Sequence, residues 1–392
     1  MKRLAVIGAR GIPDVIGGVE THCALLYPAL AEAMPALAVT LLARRIYVPA
    51  ARFRHEGVEV HGLPSPRGAS IETLLHSLIS VLYARFRLRA DIVHLHGIGP
   101  GFFAPLARLI GMRVVVTDHA ADFLRPKWGL AGRAFLRLGE WLAARYADRL
   151  ICVSDAVRQD LLTRAPDAAG IALTIRLGAH LADAPPEGDA ALLARFRLEP
   201  NAYLLAVARL EETKRIEDLI AAHAAAGPGT LPLVIAGCAI GDDSYERRLR
   251  AMAGPGVIFA GVCHGALLTA LYRRAALLLH PSEMEGFALV ILEALSVGTP
   301  VKVSDLPVHR EFALPDDAFF AVGDVAAIRA TMERTGPRTA PWTPAASIVE
   351  RHSEAAVVRA HADLYGELLG LTADQPAPAA YVPAARASNS RQ

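Results

Sequence analysis

The chain has 392 residues, of which 53 % are apolar and 20 % charged, with a formal net charge of +2. That length holds two domains of ordinary size, and the composition excludes a disordered or fibrous chain. The small net charge gives no reason to expect a nucleic-acid partner.

The charge is unevenly spread: residues 1–183 carry 22 Lys and Arg against 15 Asp and Glu, and the remainder 19 against 24. A basic first half suits an anionic partner, such as a phosphate-bearing lipid or membrane surface, and equally suits scattered solvated arginines. Cys23, Cys152, Cys238 and Cys263 lie far apart in apolar surroundings without CxxC or zinc spacing. Buried, reduced thiols of a cytoplasmic protein are expected. The opening apolar run is too short for a signal peptide and ends in Gly8-Ala-Arg-Gly11, and no window of about 18 apolar residues lacks charge. Neither a leader nor a membrane-spanning helix is expected.

In chain order, short apolar runs at 4–8, 38–43, 92–96, 113–117 and 150–153 read as buried strands. Helical patterns at 18–32, 71–89, 103–110 and 128–146 separate them. This alternation is that of a parallel sheet covered on both faces. A Pro-rich loop at 181–188 reads as a linker, after which the pattern restarts. Strands are expected at 203–208, 233–236, 257–259, 276–280 and 300–303, with helices at 216–226, 244–252, 267–274 and 290–296. The fold class is therefore α/β, with two doubly wound, Rossmann-like domains (1–183 and 190–345) facing each other across a cleft. A helical segment follows in 346–371, expected to pack back towards the first domain, and 372–392, rich in Ala, Pro and Ser, reads as a disordered tail.

Three segments at strand ends carry the chemistry. The first is Gly8-Ala-Arg-Gly11-Ile-Pro13, continuing to Gly17-Gly18-Val-Glu20. Glycines between a strand and a helix let backbone approach a phosphate, although this is neither GxGxxG nor a Walker motif. A tight turn is the plainer reading, but the loop is longer than a turn needs and Gly17-Gly18 adds a second flexible point. The second places Arg209 and Lys214 where a strand hands over to a helix, able to clamp a diphosphate and stabilise its charge as it leaves. The third is Glu285-Gly286-Phe287-Ala288, with Glu293 eight residues after Glu285 inside Val-Ile-Leu-Glu-Ala-Leu. A carboxylate there is costly without a partner such as sugar hydroxyls, and the helix start offers free N–H donors.

With Pro300-Val301, these motifs resemble the retaining glycosyltransferases of family 4, of GT-B fold, over roughly residues 1–370. The Gly-rich opening is similar to that of bacterial rhamnosyl-type transferases of capsule and exopolysaccharide assembly. So is the stretch Asp118-His119-Ala120 to Asp122-Phe123-Leu-Arg125-Pro-Lys127-Trp128. The resemblance implies that Arg209 and Lys214 hold the donor diphosphate, approached from the other domain by Gly17 and Gly18. Glu293 would bind ribose, and Glu285 the transferred sugar beside the amides of Gly286, Phe287 and Ala288. His119 would line the sugar pocket. Asp122, Arg125, Lys127 and Trp128 would face the acceptor, and Val262 with Cys263 the base. Catalysis would be front-face, the departing diphosphate taking the acceptor proton. The partners implied are a nucleotide-sugar donor and an oligosaccharide or polyprenyl-diphosphate-linked acceptor at the cytoplasmic face of the inner membrane. No cofactor is implied.

The sequence departs from the pattern at Ala288, where a second glycine is usual, at Ala120 and Phe123 in place of Gly and Trp, and at Lys302. His94 and His96 alternate on one strand face, read as hydrogen-bonding groups rather than metal ligands for want of a third. No Asp-x-Asp stands out, so no metal is expected. The helix at 71–89, apolar on one side with a basic end, reads either as membrane-touching or as packed core. Two other functions fit the architecture: a nucleotide-sugar 2-epimerase, and a non-catalytic sugar-nucleotide-binding subunit.

Overall fold

The computed structural model describes residues 1–371 apart from 67–68, 126–127, 179–180, 182–183, 341, 343–347 and 349–351. The side chains of 69–71 and the stretch 372–392, where the tail is expected, also lie outside the described residues.

The first sheet contains β1 (Lys2–Ile7), β2 (Leu37–Arg44), β3 (Arg52–His55), β4 (Val58–Leu63), β5 (Ile92–His96), β6 (Arg113–Asp118), β7 (Arg149–Cys152) and β8 (Ala172–Thr174). Their order is β3-β4-β2-β1-β5-β6-β7-β8. Every pair is parallel except the β3–β4 hairpin at the edge. Helices α1 (Gly18–Ala33), α2 (Ala69–Phe86), α3 (Ile98–Gly101), α4 (Ala104–Leu109), α5 (Leu130–Tyr146) and α6 (Asp155–Arg164) connect them, and α7 (Asp189–Ala194) leads on to the second sheet. All five residues of β5 are buried, as a central strand covered on both faces requires.

The second sheet runs β11-β10-β9-β12-β13-β14. Its strands are β9 (Leu204–Val207), β10 (Leu233–Ala236), β11 (Val257–Gly261), β12 (Leu277–His280), β13 (Val301–Ser304) and β14 (Phe319–Phe320). Around it lie α8 (Ile216–Ala226), α9 (Ser244–Met252), α10 (Gly265–Arg273), α11 (Leu289–Ser296), α12 (Pro307–Arg310) and α13 (Val325–Arg334). The last helix, α14 (Glu354–Leu369), starts where Ser353 Oγ accepts the Ala356 N–H at 3.2 Å. It packs against the first domain, where Val357, Val358, Leu364 and Tyr365 share a core with Cys23, Leu26, Tyr27 and Leu30.

The expected apolar runs are all strands, and the differences lie at the margins. The hairpin was missed because β3 reads Arg-Phe-Arg-His, charged on one face, and turns at Glu56 and Gly57, both with positive φ. Helix α2 stops at Phe86 rather than 89, and Arg89 takes a φ of 54°. Two helices that the pattern reading passed over, α6 and α13, start at side-chain caps. Ser154 Oγ accepts from Val157 N at 3.1 Å and Asp324 Oδ1 from Ala327 N at 2.9 Å. Lys302 binds the backbone oxygen of Asp317 and, at 3.0 Å, its carboxylate, which joins β13 to the turn before β14. Cys23, Cys152 and Cys263 are buried, whereas Cys238 is half-buried; all four are free.

The halves also meet away from the cleft. Glu311, just after α12, accepts the N–H groups of Asp155 (3.1 Å) and Ala156 (2.8 Å) at the start of α6, and Arg176 pairs with both Glu311 and Asp155. A carboxylate at a helix N-terminus meets unpaired N–H donors and a favourable dipole.

Inside the first domain five histidines converge: His22, His94, His96, His119 and His361. Burial is the main cause that lowers all five, His119 and His361 to about 4 and the others well below the ordinary value. The unfolded chain protonates these rings near pH 6.5. The folded chain keeps them neutral, so the stability present above pH 6.5 is lost as the pH falls towards 4. At pH 5 His119 and His361, lowered to about 4, each cost about 2 kcal/mol. Burial raises Asp118 to about 7 and also raises Glu293 and Glu354, which acts in the opposite sense but involves fewer groups. Thermal melts should therefore show the melting temperature dropping steeply from pH 7 to pH 5. A melting temperature that holds level over that range would contradict the burial of these rings.

Candidate active site

The second domain brings its charged residues together at the carboxyl ends of β9 and β12. Arg209 follows β9, and Lys214 ends the single 3-10 turn Glu212–Lys214. That turn is tied to the loop after β12, because Thr213 O accepts both the Glu283 N–H and the Ser282 hydroxyl at 3.0 Å. Glu285 consequently lies beside Lys214: its Oε1 accepts from Lys214 Nζ at 2.7 Å and contacts His280 Nε2 at 2.8 Å. Burial alone would favour the neutral acid, but Lys214 and His280 outweigh it and hold Glu285 well below the usual carboxylate range. It is a fixed anion rather than a proton donor.

Glu293 lies one turn into α11, where its Oε2 accepts from Tyr272 OH at 2.5 Å. Burial raises its pKa, and the tyrosine bond opposes this only in part. Among the described residues nothing accepts from the backbone N–H groups of Gly286, Phe287 and Ala288, which lead into α11. The Phe287 ring packs against Phe312 and His352, with centroids at 5.4 Å in both cases, so its contribution to the cleft is confined to its backbone. Ala288 is 2 % exposed and belongs to the core. Its methyl group is therefore accommodated in the core. Val262 is exposed between β11 and α10.

In the first domain, the Gly-rich segment after β1 is braced by one ion pair. Glu20 accepts from Arg10 N at 3.0 Å and Nε at 2.9 Å, and Arg10 also binds Ile16 O. Gly17 has a φ of 152°, and a Cβ there would sit 2.1 Å from Glu20 Oε2, so only glycine fits. Gly18 opens α1 with no neighbouring atom within 4 Å of where a Cβ would be. His119 follows β6, with its Nε2 at 3.2 Å from His96 Nδ1.

The acceptor-side residues divide. Asp122 pairs with Arg125 at 2.8 Å. Arg125 reaches across to the second domain, donating from Nη1 to Glu211 Oε1 at 2.8 Å; the same oxygen takes Arg209 Nη2 at 3.0 Å. Arg125, expected to face the acceptor, thus stands beside Arg209 and Glu211 of the second domain. Trp128 packs with the cluster of Ile98, Ala121, Phe123 and Leu136, a wall of the site more than a contact surface. Lys127 lies outside the described residues. Sequence reasoning missed Glu211, Tyr272 and His280. Only His280, heading the His280-Pro-Ser282 motif, carries a local signal; the other two are recognisable from their partners alone. Among the described residues no group of three or more His, Cys, Asp or Glu could hold a metal ion.

The two halves meet at Gly286, where a Cβ would lie 1.6 Å from His119 O and 3.1 Å from Ala120 Cβ. Two parallel-sheet domains with basic, glycine-rich and carboxylate-bearing edges apposed across a cleft define the GT-B glycosyltransferase class. Residues 16–172 match the family model described as Glycosyltransferase Family 4, and residues 194–335 that of Glycosyl transferases group 1. The two matches together take in most of the chain, neither alone spanning half of it, and support a glycosyltransferase of GT-B fold. It is 31 % identical over 201 residues to a serotype-specific mannosyltransferase WbdA of Escherichia coli, covering 48 % of this chain and 24 % of that one. The chain thus spans about a quarter of WbdA's length. A GDP-mannose-dependent alpha-mannosyltransferase of Mycolicibacterium smegmatis is 26 % identical over 324 residues, covering 80 % of this chain and 82 % of that one. Among solved structures, sucrose-phosphate synthase of Thermosynechococcus elongatus superposes with a TM-score of 0.75 at 20 % identity, covering 95 % of this chain and all of that one. Anabaena HepE in complex with UDP and glucose gives 0.73 at 20 % identity, covering 94 % and 100 %.

Gly286→Ala should force these backbones apart. Small-angle scattering should show a larger radius of gyration, and activity should fall by at least about tenfold. An alanine variant with unchanged dimensions and rate would show that the contact is dispensable.

Proposed function

We propose that the chain transfers a hexose or deoxyhexose, with retention of configuration, from a nucleoside-diphosphate sugar. The acceptor is a glycan or polyprenyl-diphosphate-linked saccharide of bacterial surface polysaccharide synthesis. The observation that carries this reading is the Lys214–Glu285 pair beside the unpaired amides of 286–288. It offers a cation and N–H donors for a diphosphate, and a fixed carboxylate for sugar hydroxyls. Arg209 Nε, buried and without a hydrogen-bond partner among the described residues, adds a further donor. The named activities of the relatives, mannosyl transfer among them, support a sugar-nucleotide donor. The rhamnosyl-like stretch 118–128 keeps a deoxyhexose in play.

In this reading the acceptor oxygen bonds to the anomeric carbon as that carbon's bond to the phosphate oxygen breaks. The acceptor proton passes to the departing diphosphate, whose charge is taken up by Arg209, Lys214 and the α11 amides. Glu293 binds ribose, and Gly18 lets backbone approach the phosphates from the opposite side. No metal is required. Arg209→Ala or Lys214→Ala should lower kcat by about 100-fold, the loss expected for one transition-state donor. Glu293→Ala should mainly raise the donor KM, and wild-type activity should survive EDTA. Product anomers followed by NMR test retention. Full activity in all three variants would refute the site, and donor bound without transfer or hydrolysis would point to a binding subunit.

The acceptor reading includes a peripheral contact with an anionic membrane. Leu75, Ile79, Leu82 and Phe86 recur along α2 at helical spacing, all exposed, beside exposed Arg87 and Arg89 and the exposed Leu109 of α4. No helix among the described residues is long and apolar enough to cross a membrane. Co-sedimentation with phosphatidylglycerol vesicles should fall several-fold in Leu82→Glu/Phe86→Glu. Equal sedimentation of variant and wild type would remove the membrane contact from the reading.

A further inference from the structure

Behind His119 lies a row of buried polar groups to which glycosyl transfer gives no direct role. Tyr27 OH of α1 is 2.5 Å from His96 Nε2, and His96 Nδ1 is 3.2 Å from His119 Nε2. On the far side, Tyr365 OH of α14 and Tyr27 OH face the same atom, His94 Nδ1, at 2.6 and 2.9 Å. His94 Nε2 is 2.6 Å from Thr117 Oγ1. Tyr27, His94, His96, Thr117 and Tyr365 are all at most 2 % exposed. The rings of His94, His96 and His119 stack in sequence, at 4.2 and 5.4 Å between centroids.

Proton counting together with the contact lengths gives the row a direction. A neutral imidazole has one N–H and one lone pair. His94 Nδ1 therefore forms one strong bond, and the nearer tyrosine, Tyr365, takes it. The Tyr27 hydroxyl hydrogen has two acceptors, Tyr365 OH and His96 Nε2, and we assign it to His96 Nε2, the shortest contact in the row. With its Nε2 accepting, His96 carries its hydrogen on Nδ1 and donates to His119 Nε2. His119 then keeps its own hydrogen on Nδ1, which has no partner among the described residues.

We propose that Tyr27 and His96 are positioning residues that lock His119 in the Nδ1–H tautomer, so that it presents a hydrogen-bond donor to the sugar in the cleft. This rests on the reading of His119 as a wall of the sugar pocket. A histidine held this way can bind a hydroxyl or ring oxygen at Nδ1 but cannot take a proton there. The acceptor proton is thereby left to the phosphate. The row also ties the tautomer to α14 through Tyr365, so the last helix takes part in setting it.

The test is long-range proton–nitrogen NMR on ligand-free protein labelled with 15N-histidine, the His119 signals being assigned by their loss in His119→Asn. Wild type should show His119 protonated on Nδ1. Tyr27→Phe removes the hydroxyl and should give mixed tautomers. His96→Leu should do the same, whereas His96→Asn, which places an amide N–H near the former Nδ1, should restore the Nδ1–H form. In transfer assays Tyr27→Phe and His96→Leu should lose about tenfold in kcat, roughly one hydrogen bond, with little change in donor KM, and His96→Asn should recover most of it. The two His96 variants carry the test if Tyr27→Phe does not fold. A wild-type His119 protonated on Nε2, or an unchanged Nδ1–H form in both Tyr27→Phe and His96→Leu, would overturn the proposal. Because the NMR measurement uses no donor, it stands apart from the functional reading. Tautomers as expected without any transfer would sink that reading and leave the positioning intact.

Discussion

At Gly286 the backbone of the second domain rests on the carbonyl of His119 in the first, with no room for even a methyl group between them. Much else follows from that approach. It brings Arg125 within reach of Glu211. It also sets the end of β6, with His119, against the loop that holds Glu285. A cleft assembled from two sheets has no covalent guarantee of its width; here one glycine and one carbonyl set it. The Glu311 carboxylate capping α6 provides a second fixed point, so the halves are braced at the cleft and at α6.

Around this contact the charges are arranged as neutralised groups. Lys214 is held by Glu285, Arg209 and Arg125 share one oxygen of Glu211, and Arg10 is held by Glu20. Each cation is thus oriented by an anion without any ligand present. The same economy appears in the first domain, where burial keeps five histidines neutral and the hydrogen-bonded row sorts out which nitrogens carry protons. Acid lability is the physical cost of that arrangement.

Several features were legible from local pattern. Continuous apolar runs mark β1, β5, β6, β9, β10 and β12, because a strand covered on both faces has no polar side to disguise it. The β3–β4 hairpin was not legible: charge on its outer face hides the period, and its turn uses Glu56 in a left-handed conformation. Helix α6 was missed for a related reason, since capping rather than an apolar stripe marks where it begins.

The sequence by itself determined the two-sheet architecture and the residue types at its strand ends, because period, glycine placement and a carboxylate amid apolar neighbours are properties of adjacent residues. It also marked Lys214, Glu285 and Glu293 as candidates. Only the tertiary structure decided their partners: that Glu293 meets Tyr272, that Arg125 belongs with Arg209, and that His94 and His96 are members of a five-histidine group. Those contacts join residues up to hundreds of positions apart, as His94 and Tyr365 are. Hydrogen bonding and burial act on distance in space, on which local sequence pattern carries no information.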